Sequence, residues 1–427
     1  MTTTATASDF SQDMKVLGLI STGHMLSHFY FLVLPPLFFA IKADLALNFR
    51  ELGFMMTLMY GVAAVAQIPV GFLVDRVGAR IVLTIGLFVM SLGICMVGLS
   101  PAMGSWLNGF GVGFDTTYWV VLFWLVLTGV GHSVFHPADY AILVSSINPM
   151  RMGRAFSIHT FFGHLGSAIA PATILLLAAL TDWKLALVIA GLIGILTMFA
   201  MTSQWNSLND DAIKSSKNEL DGDADTDGEA TTDGTKDGLA LLFSAPMLLF
   251  FLFFAALAMT ASGVQSFLVV GLVGMEIATL EIAGYALTAY LFASAAGILV
   301  GGEIADRTDR HDLIAMTAFV ITGAIMLSLT VFNPGTVLLC LVMVIAGLSQ
   351  GIIRPARDMM VRAASPKGST GKVFGFVSAG IAAGGAVAPT LFGFIMDLGD
   401  PVWVFYLIAV FMVIAMFSIA TPKPKHQ

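Results

Sequence analysis

Twelve stretches dominated by apolar side chains, each long enough to cross a bilayer and separated by short polar breaks, constrain this chain before any motif is considered. A hydrocarbon core takes about 20 helical residues to span, and in lipid a helix satisfies its backbone hydrogen bonds within a single segment. The stretches fall at residues 15–40, 50–74, 81–101, 117–146, 153–179, 183–203, 240–272, 280–304, 312–332, 336–363, 372–397 and 401–420. Only 11% of the residues are charged and mean hydropathy is +0.90, against about 25% charged in soluble chains. A soluble globular protein is excluded. The expected fold is an all-α polytopic membrane protein of twelve transmembrane helices in two six-helix bundles.

The two halves repeat one another. Gly129, Pro137, Gly153, Phe156 and Pro171 match Gly347, Pro355, Gly371, Phe374 and Pro389 at a constant offset of 218 residues. The same offset sets His136 opposite Arg354 and Asp139 opposite Arg357, so the copies differ at polar positions near their centres. The expected organisation is a tail at 1–14, bundles at 15–203 and 240–420, a linker at 204–239 and a second tail at 421–427. The linker holds ten acidic residues and three lysines, a net −7 equal to that of the whole chain. Its composition reads as a solvated, disordered tether. The run Asp223–Gly228 imitates the opening of a calcium-binding loop, but its twelfth position is Gly234 where a bidentate Glu is needed, so calcium is not expected.

Lys and Arg set the orientation, because cytoplasmic loops retain them. With the N-terminus inside, fifteen basic residues fall on the cytoplasmic side and three, Lys42, Arg50 and Lys184, on the outer side. Both termini are expected in the cytoplasm, in an inner membrane. Residues 1–14 lack the basic region and cleavage site of a secretory signal. Cys95 and Cys340 each sit in an apolar stretch, far apart, and read as buried bystander thiols.

A charge at mid-membrane costs at least about 2.5–3.5 kcal/mol on insertion scales, so each one needs a partner, an aqueous cavity or a task. His24 and His28 are four residues apart and share a helix face, as do His132, His136 and Asp139 in the fourth span. Gln350, Arg354 and Arg357 form a stripe in the tenth, with Asp358 one turn beyond Arg354. The seventh span adds Thr260, Ser262 and Gln265. A guanidinium offers bidentate geometry to carboxylate or phosphate groups, so Arg354, then Arg357, are candidate ligands of an anionic solute, with His28, His136, Gln350 and Gln265 beside them. The structural alternative pairs Arg354 with Asp358, or Arg357 with Asp139. Imidazole titrates near physiological pH, which makes His28, His132, His136 and Asp139 candidates for proton coupling. His159 and His164 in the fifth span read as packing residues. Spacing alone gives His24 and His28 no carboxylate or thiolate companion, and no metal or other cofactor is expected.

Between the second and third spans the chain reads G-F-L-V-D-R-V-G-A-R, from Gly71 to Arg80. This resembles the signature loop of the major facilitator superfamily, with Gly71, Asp75, Arg76, Gly78 and Arg80 matching and Ala79 in place of a frequent basic residue. A weaker copy follows the eighth span, with Gly302, Asp306 and Arg307, and Asp309 where the second glycine belongs. The resemblance implies that spans one, four, seven and ten line a cavity, and that Gly71, Asp75, Arg76, Gly78, Arg80, Asp306 and Arg307 act as a cytoplasmic gate. The run Gly129–Asp139, containing Phe135-His136-Pro137, resembles the fosmidomycin-resistance exporter subgroup.

These readings converge on a monomeric, non-enzymatic secondary transporter, moving a small organic anion by alternating access coupled to protons and contacting lipid but no nucleic acid. Efflux of a drug or phosphonate anion by proton antiport is the alternative, weakened slightly because Ala170-Pro171 stands where the antiporter pattern has Gly-Pro. No Walker sequence is present to hydrolyse ATP. A sensor or scaffold on the same fold, docking through the acidic linker, is the reading from another class. Deleting residues 209–235 separates these: a transporter keeps most of its solute flux in a vesicle assay, whereas a scaffold loses function outright.

Overall fold

The computed structural model describes residues 7–111, 113–208, 242–365 and 370–420. Fourteen α-helices and three short 3-10 turns occur among them, without strands. In chain order the helices are α1 (Ala7–Phe31), α2 (Phe38–Leu45), α3 (Phe49–Val77), α4 (Ala79–Asn108), α5 (Thr117–His132), α6 (Phe135–Ser146), α7 (Met152–Leu180) and α8 (Trp183–Ser203). The second half supplies α9 (Ala245–Gly274), α10 (Leu280–Asp306), α11 (His311–Ser328), α12 (Gly335–Ala364), α13 (Thr370–Asp397) and α14 (Val402–Ala420). They make twelve segments long and apolar enough to cross a membrane, and the chain is a multi-pass membrane protein.

Two of the twelve spans are interrupted, each beside a proline. The first span breaks at Pro35-Pro36, where a 3-10 turn joins α1 to α2. The fourth breaks between α5 and α6, just before Pro137, which has no N–H to give the carbonyl of Ser133. Its counterpart Pro355 is accommodated inside an unbroken α12. Of the linker, only residues 204–208 are described, and Trp205–Ser207 form a 3-10 turn. The acidic run Asp223–Gly228 and the tail at 421–427 lie outside the described residues, as do residues 1–6 of the tail expected at 1–14, whose residues 7–14 instead open α1.

The chain divides into two compact units, Met1–Leu37 with Leu58–Gly228, and Phe38–Thr57 with Glu229–Gln427. In the first unit α1 packs on α7, and α4 on both α5 and α8. In the second, α9 packs on α13 and α14, and α10 on α12. Helix α2 and the first turns of α3 belong to this second unit. There the carboxylate of Asp397, at the end of α13, accepts from the backbone N–H groups of Phe49 (2.9 Å) and Arg50 (2.8 Å). Those amides have no intrahelical acceptor at the start of α3, and a carboxylate there is favoured.

Close approach through glycine repeats along with the sequence. A Cβ added at Gly166 in α7 would lie 2.0 Å from the carbonyl oxygen of Met25 in α1. At Gly384, 218 residues later in α13, it would lie 2.3 Å from the carbonyl oxygen of Ala255 in α9. Between lipid-bounded helices there is no hydrophobic drive to associate, so such backbone-to-backbone contact is a main source of packing energy. Gly385, the next residue along α13, has nothing within 4 Å of its Cβ position. We expect Gly166→Ala and Gly384→Ala each to destabilise the fold by about 1–3 kcal/mol through overpacking, read as a lower midpoint in thermal unfolding in detergent. Gly385→Ala is expected to leave the midpoint in place.

Candidate functional site

Six of the chain's eight histidines gather in the first unit, on three segments that the fold brings together. The contact of α1 with α7 sets the arrangement, since Gly163 faces the ring of His24, where a Cβ would stand 2.7 Å from Nε2. One turn earlier on α7, His159 therefore stacks on His24, with ring centroids 4.0 Å apart. The ring of His28 lies 4.7 Å from that of His24, and the ring of His136 lies 5.4 Å from it. His132, at the end of α5, stacks on Phe31 at 3.6 Å and sits 6.1 Å from His28. His164 is 6.3 Å from His28, whose Nδ1 is 3.5 Å from Ser167 Oγ.

Asp139 lies at the centre of this group and is fully buried. Its Oδ2 is 3.3 Å from His24 Nδ1 and 3.4 Å from His159 Nε2. No hydrogen bond of ordinary geometry reaches either of its oxygens among the described residues. Within its own unit Asp139 thus has two histidines as neighbours. His159, which reads as a packing residue in the sequence, touches the buried carboxylate directly. Gly163, one helical turn after it, is the signal that α7 comes close enough to α1 for this.

In the second unit the stripe on α12 is positioned by the same device. A Cβ at Gly347 would lie 2.1 Å from the carbonyl oxygen of Tyr290, and one at Gly351 2.2 Å from that of Ser294. Helix α10 is thereby pressed onto α12. Arg354 is half-buried and lies within electrostatic range of Tyr290, Arg357 and Asp358. Arg357 Nε donates to Asp358 Oδ1 at 2.8 Å, and its guanidinium stands 4.5 Å from the ring centroid of Phe254. Asp358 is thus a partner of Arg357. One turn before Arg354, Gln350 is buried, and its Nε2 has no hydrogen-bond acceptor among the described residues. The hydroxyls of Thr260 and Ser262 are likewise buried without a partner, while Gln265 is half-buried.

The signature loop is a single residue. Gly78 joins α3 to α4 with φ +102° and ψ 142°, a conformation that only glycine adopts without strain. Gly71 makes no close approach, with nothing within 4 Å of its Cβ position, and so does not let α3 end tightly against a neighbour. Asp75 and Arg76 are exposed, and Arg80 lies over the ring of Trp205 at 5.4 Å. In the second copy Asp306 is exposed and Arg307 pairs with Glu303 on the helix surface.

Comparison with known proteins accounts for this architecture. The family model of the Major Facilitator Superfamily matches residues 20–280 and 248–427. The chain belongs to that superfamily and is a transporter of its type. It is 24% identical over 425 residues to the fosmidomycin resistance protein of Escherichia coli K12, covering 96% of this chain and 94% of that protein. A probable L-galactonate transporter of the same organism is 24% identical over 36% of this chain and 31% of its own. Among solved structures, a bacterial homologue of the human lysosomal transporter Spinster, inward-facing and occupied, superimposes with TM-score 0.71 at 14% identity, covering 95% of this chain and 96% of that one.

The arginines of α12 differ in what their loss should do. Asp358 is half exposed, so its pair with Arg357 is worth at most about 1 kcal/mol. We expect Arg357→Gln to shift the thermal unfolding midpoint in detergent by no more than a few degrees.

Proposed function

We propose that this protein is a secondary active transporter that carries a small organic anion through alternating access, coupled to protons, and that it performs no enzymatic reaction. The observation that carries the reading is on α12. There a membrane-spanning helix presents Arg354 one turn from the buried and unsatisfied amide of Gln350. A guanidinium and an amide N–H on one helix face suit the oxygens of a carboxylate, phosphonate or phosphate. Gln265 is a further donor, and Arg357, which pairs with Asp358 and stands over Phe254, is the second candidate.

Coupling is assigned to His28, His132, His136 and Asp139. An unperturbed imidazole exchanges its proton near physiological pH, and the buried carboxylate gives the proton a destination. His28 and His136 are also placed among the solute's contacts. Asp75, Arg76, Gly78, Arg80, Asp306 and Arg307, with Gly71 as a further member of the motif, are assigned to the cytoplasmic gate. The protein works as a monomer in the inner membrane with both termini inside, as its basic residues argue. Its likeness to a fosmidomycin resistance protein over nearly the whole chain favours a second reading, export of a drug-like or phosphonate anion against protons.

The test is made in proteoliposomes with an imposed pH gradient, following internal pH as monocarboxylates, dicarboxylates, phosphonates and amphipathic drugs are added in turn. Proton movement triggered by one anion class and reduced at least tenfold in Arg354→Gln is the expected result. Activity with cationic or neutral drugs that survives Arg354→Gln would remove the anion assignment and leave the arginine a structural role. The sign of the proton movement separates uptake from export.

A further inference from the structure

We propose that His24, Asp139 and His159 form a binding site for a divalent transition metal of the zinc and cobalt class, built inside the first unit. Donor atoms of the three side chains lie within 4.8 Å of one another, and all three residues are buried. They come from α1, α6 and α7, so nothing in their sequence spacing announces them.

The distances separate this reading from an ordinary ion pair. Charge-assisted hydrogen bonds between nitrogen and carboxylate run at about 2.7–2.9 Å. Here the two separations are 3.3 and 3.4 Å, and neither satisfies hydrogen-bond geometry. Ligands held at about 2.0–2.1 Å from a tetrahedral metal are about 3.3–3.4 Å from one another, which is the spacing of both nitrogen–oxygen pairs, and all three donors lie within 4.8 Å. Both imidazoles also address the same oxygen, Oδ2. Each imidazole carries an N–H of its own that could donate to that oxygen, whereas a metal ion engages all three donors together.

The donor chemistry selects the ion. Two imidazoles and one carboxylate favour zinc, cobalt, nickel or copper over calcium and magnesium, which prefer oxygen ligands throughout. A buried carboxylate with two neutral imidazoles carries one negative charge that lipid surroundings make costly. A divalent cation reverses it to a single positive charge while satisfying donors that otherwise lack hydrogen bonds. The second carboxylate oxygen, Oδ1, also without a hydrogen bond, or a water molecule completes the coordination. Because Asp139 is also assigned to proton coupling, metal and proton are competing occupants of one carboxylate. Binding itself does not depend on the transport reading and is measured without any gradient.

The experiment uses the full chain purified in detergent without a polyhistidine tag and titrated with Co²⁺. The expected result is one Co²⁺ per chain with the visible absorption bands of tetrahedral coordination, displaced by Zn²⁺. Asp139→Asn and His159→Ala are expected to weaken binding at least tenfold, while His164→Ala leaves it unchanged. His159→Cys reports on folding and position together, since binding should return with a new thiolate-to-cobalt charge-transfer band. X-ray absorption of the wild-type chain with Zn²⁺ should show two imidazole ligands, whatever the variants do. The proposal is overturned if the wild-type chain binds no Co²⁺, if Asp139→Asn binds as tightly as wild type, or if the zinc spectrum contains no imidazole.

Discussion

Close backbone contact between helices is the interaction on which the rest of this structure depends. In lipid, apolar side chains gain little by meeting one another, so helices associate where small residues let their backbones touch. Gly166 against Met25 and Gly384 against Ala255 do this at equivalent places in the two halves. Remove that approach and the polar groups lose their neighbours. His159 meets Asp139 only because α7 lies within a glycine's width of α1, and Arg354 faces Tyr290 only because Gly347 and Gly351 admit α10.

The repeat duplicates this scaffold but not its chemistry. At the 218-residue offset, an imidazole and a carboxylate in the first half answer to two guanidinium groups in the second. The first copy buries its carboxylate completely and surrounds it with imidazoles, groups that exchange protons or ligate metals. The second keeps its permanent cations half-buried, beside Tyr290, Phe254 and the half-exposed Asp358. The backbone differs in step with the side chains, since the fourth span divides just before Pro137 whereas α12 runs unbroken through Pro355.

Much of the fold was legible in the chain. Twelve apolar stretches each long enough to span a bilayer, and the breaks at Pro35-Pro36, follow from hydropathy and from the missing proline N–H. The helical stripes bearing His24 and His28, or Gln350 and Arg354, follow from the 3.6-residue period. Part of the site was legible for the same reason, because a charged residue in an apolar span attracts notice wherever it falls. His159 was not legible in this sense. It is one of several polar residues on α7, and its role comes from a carboxylate twenty residues away in sequence and a histidine still farther off.

The sequence by itself determined the membrane-spanning elements, their repeat and the identities of the polar groups they carry, because burial in lipid and helix periodicity are local properties. Only the tertiary structure decided which groups meet. Pairing Asp139 with His24 and His159, making Asp358 a partner of Arg357, and assigning Phe38–Thr57 to the second unit all depend on which helix faces pack together. Glycines at those faces look alike in the chain. Gly384 carries a helix contact while its neighbour Gly385 faces open space, and one residue of helical rotation, about 100°, makes that difference.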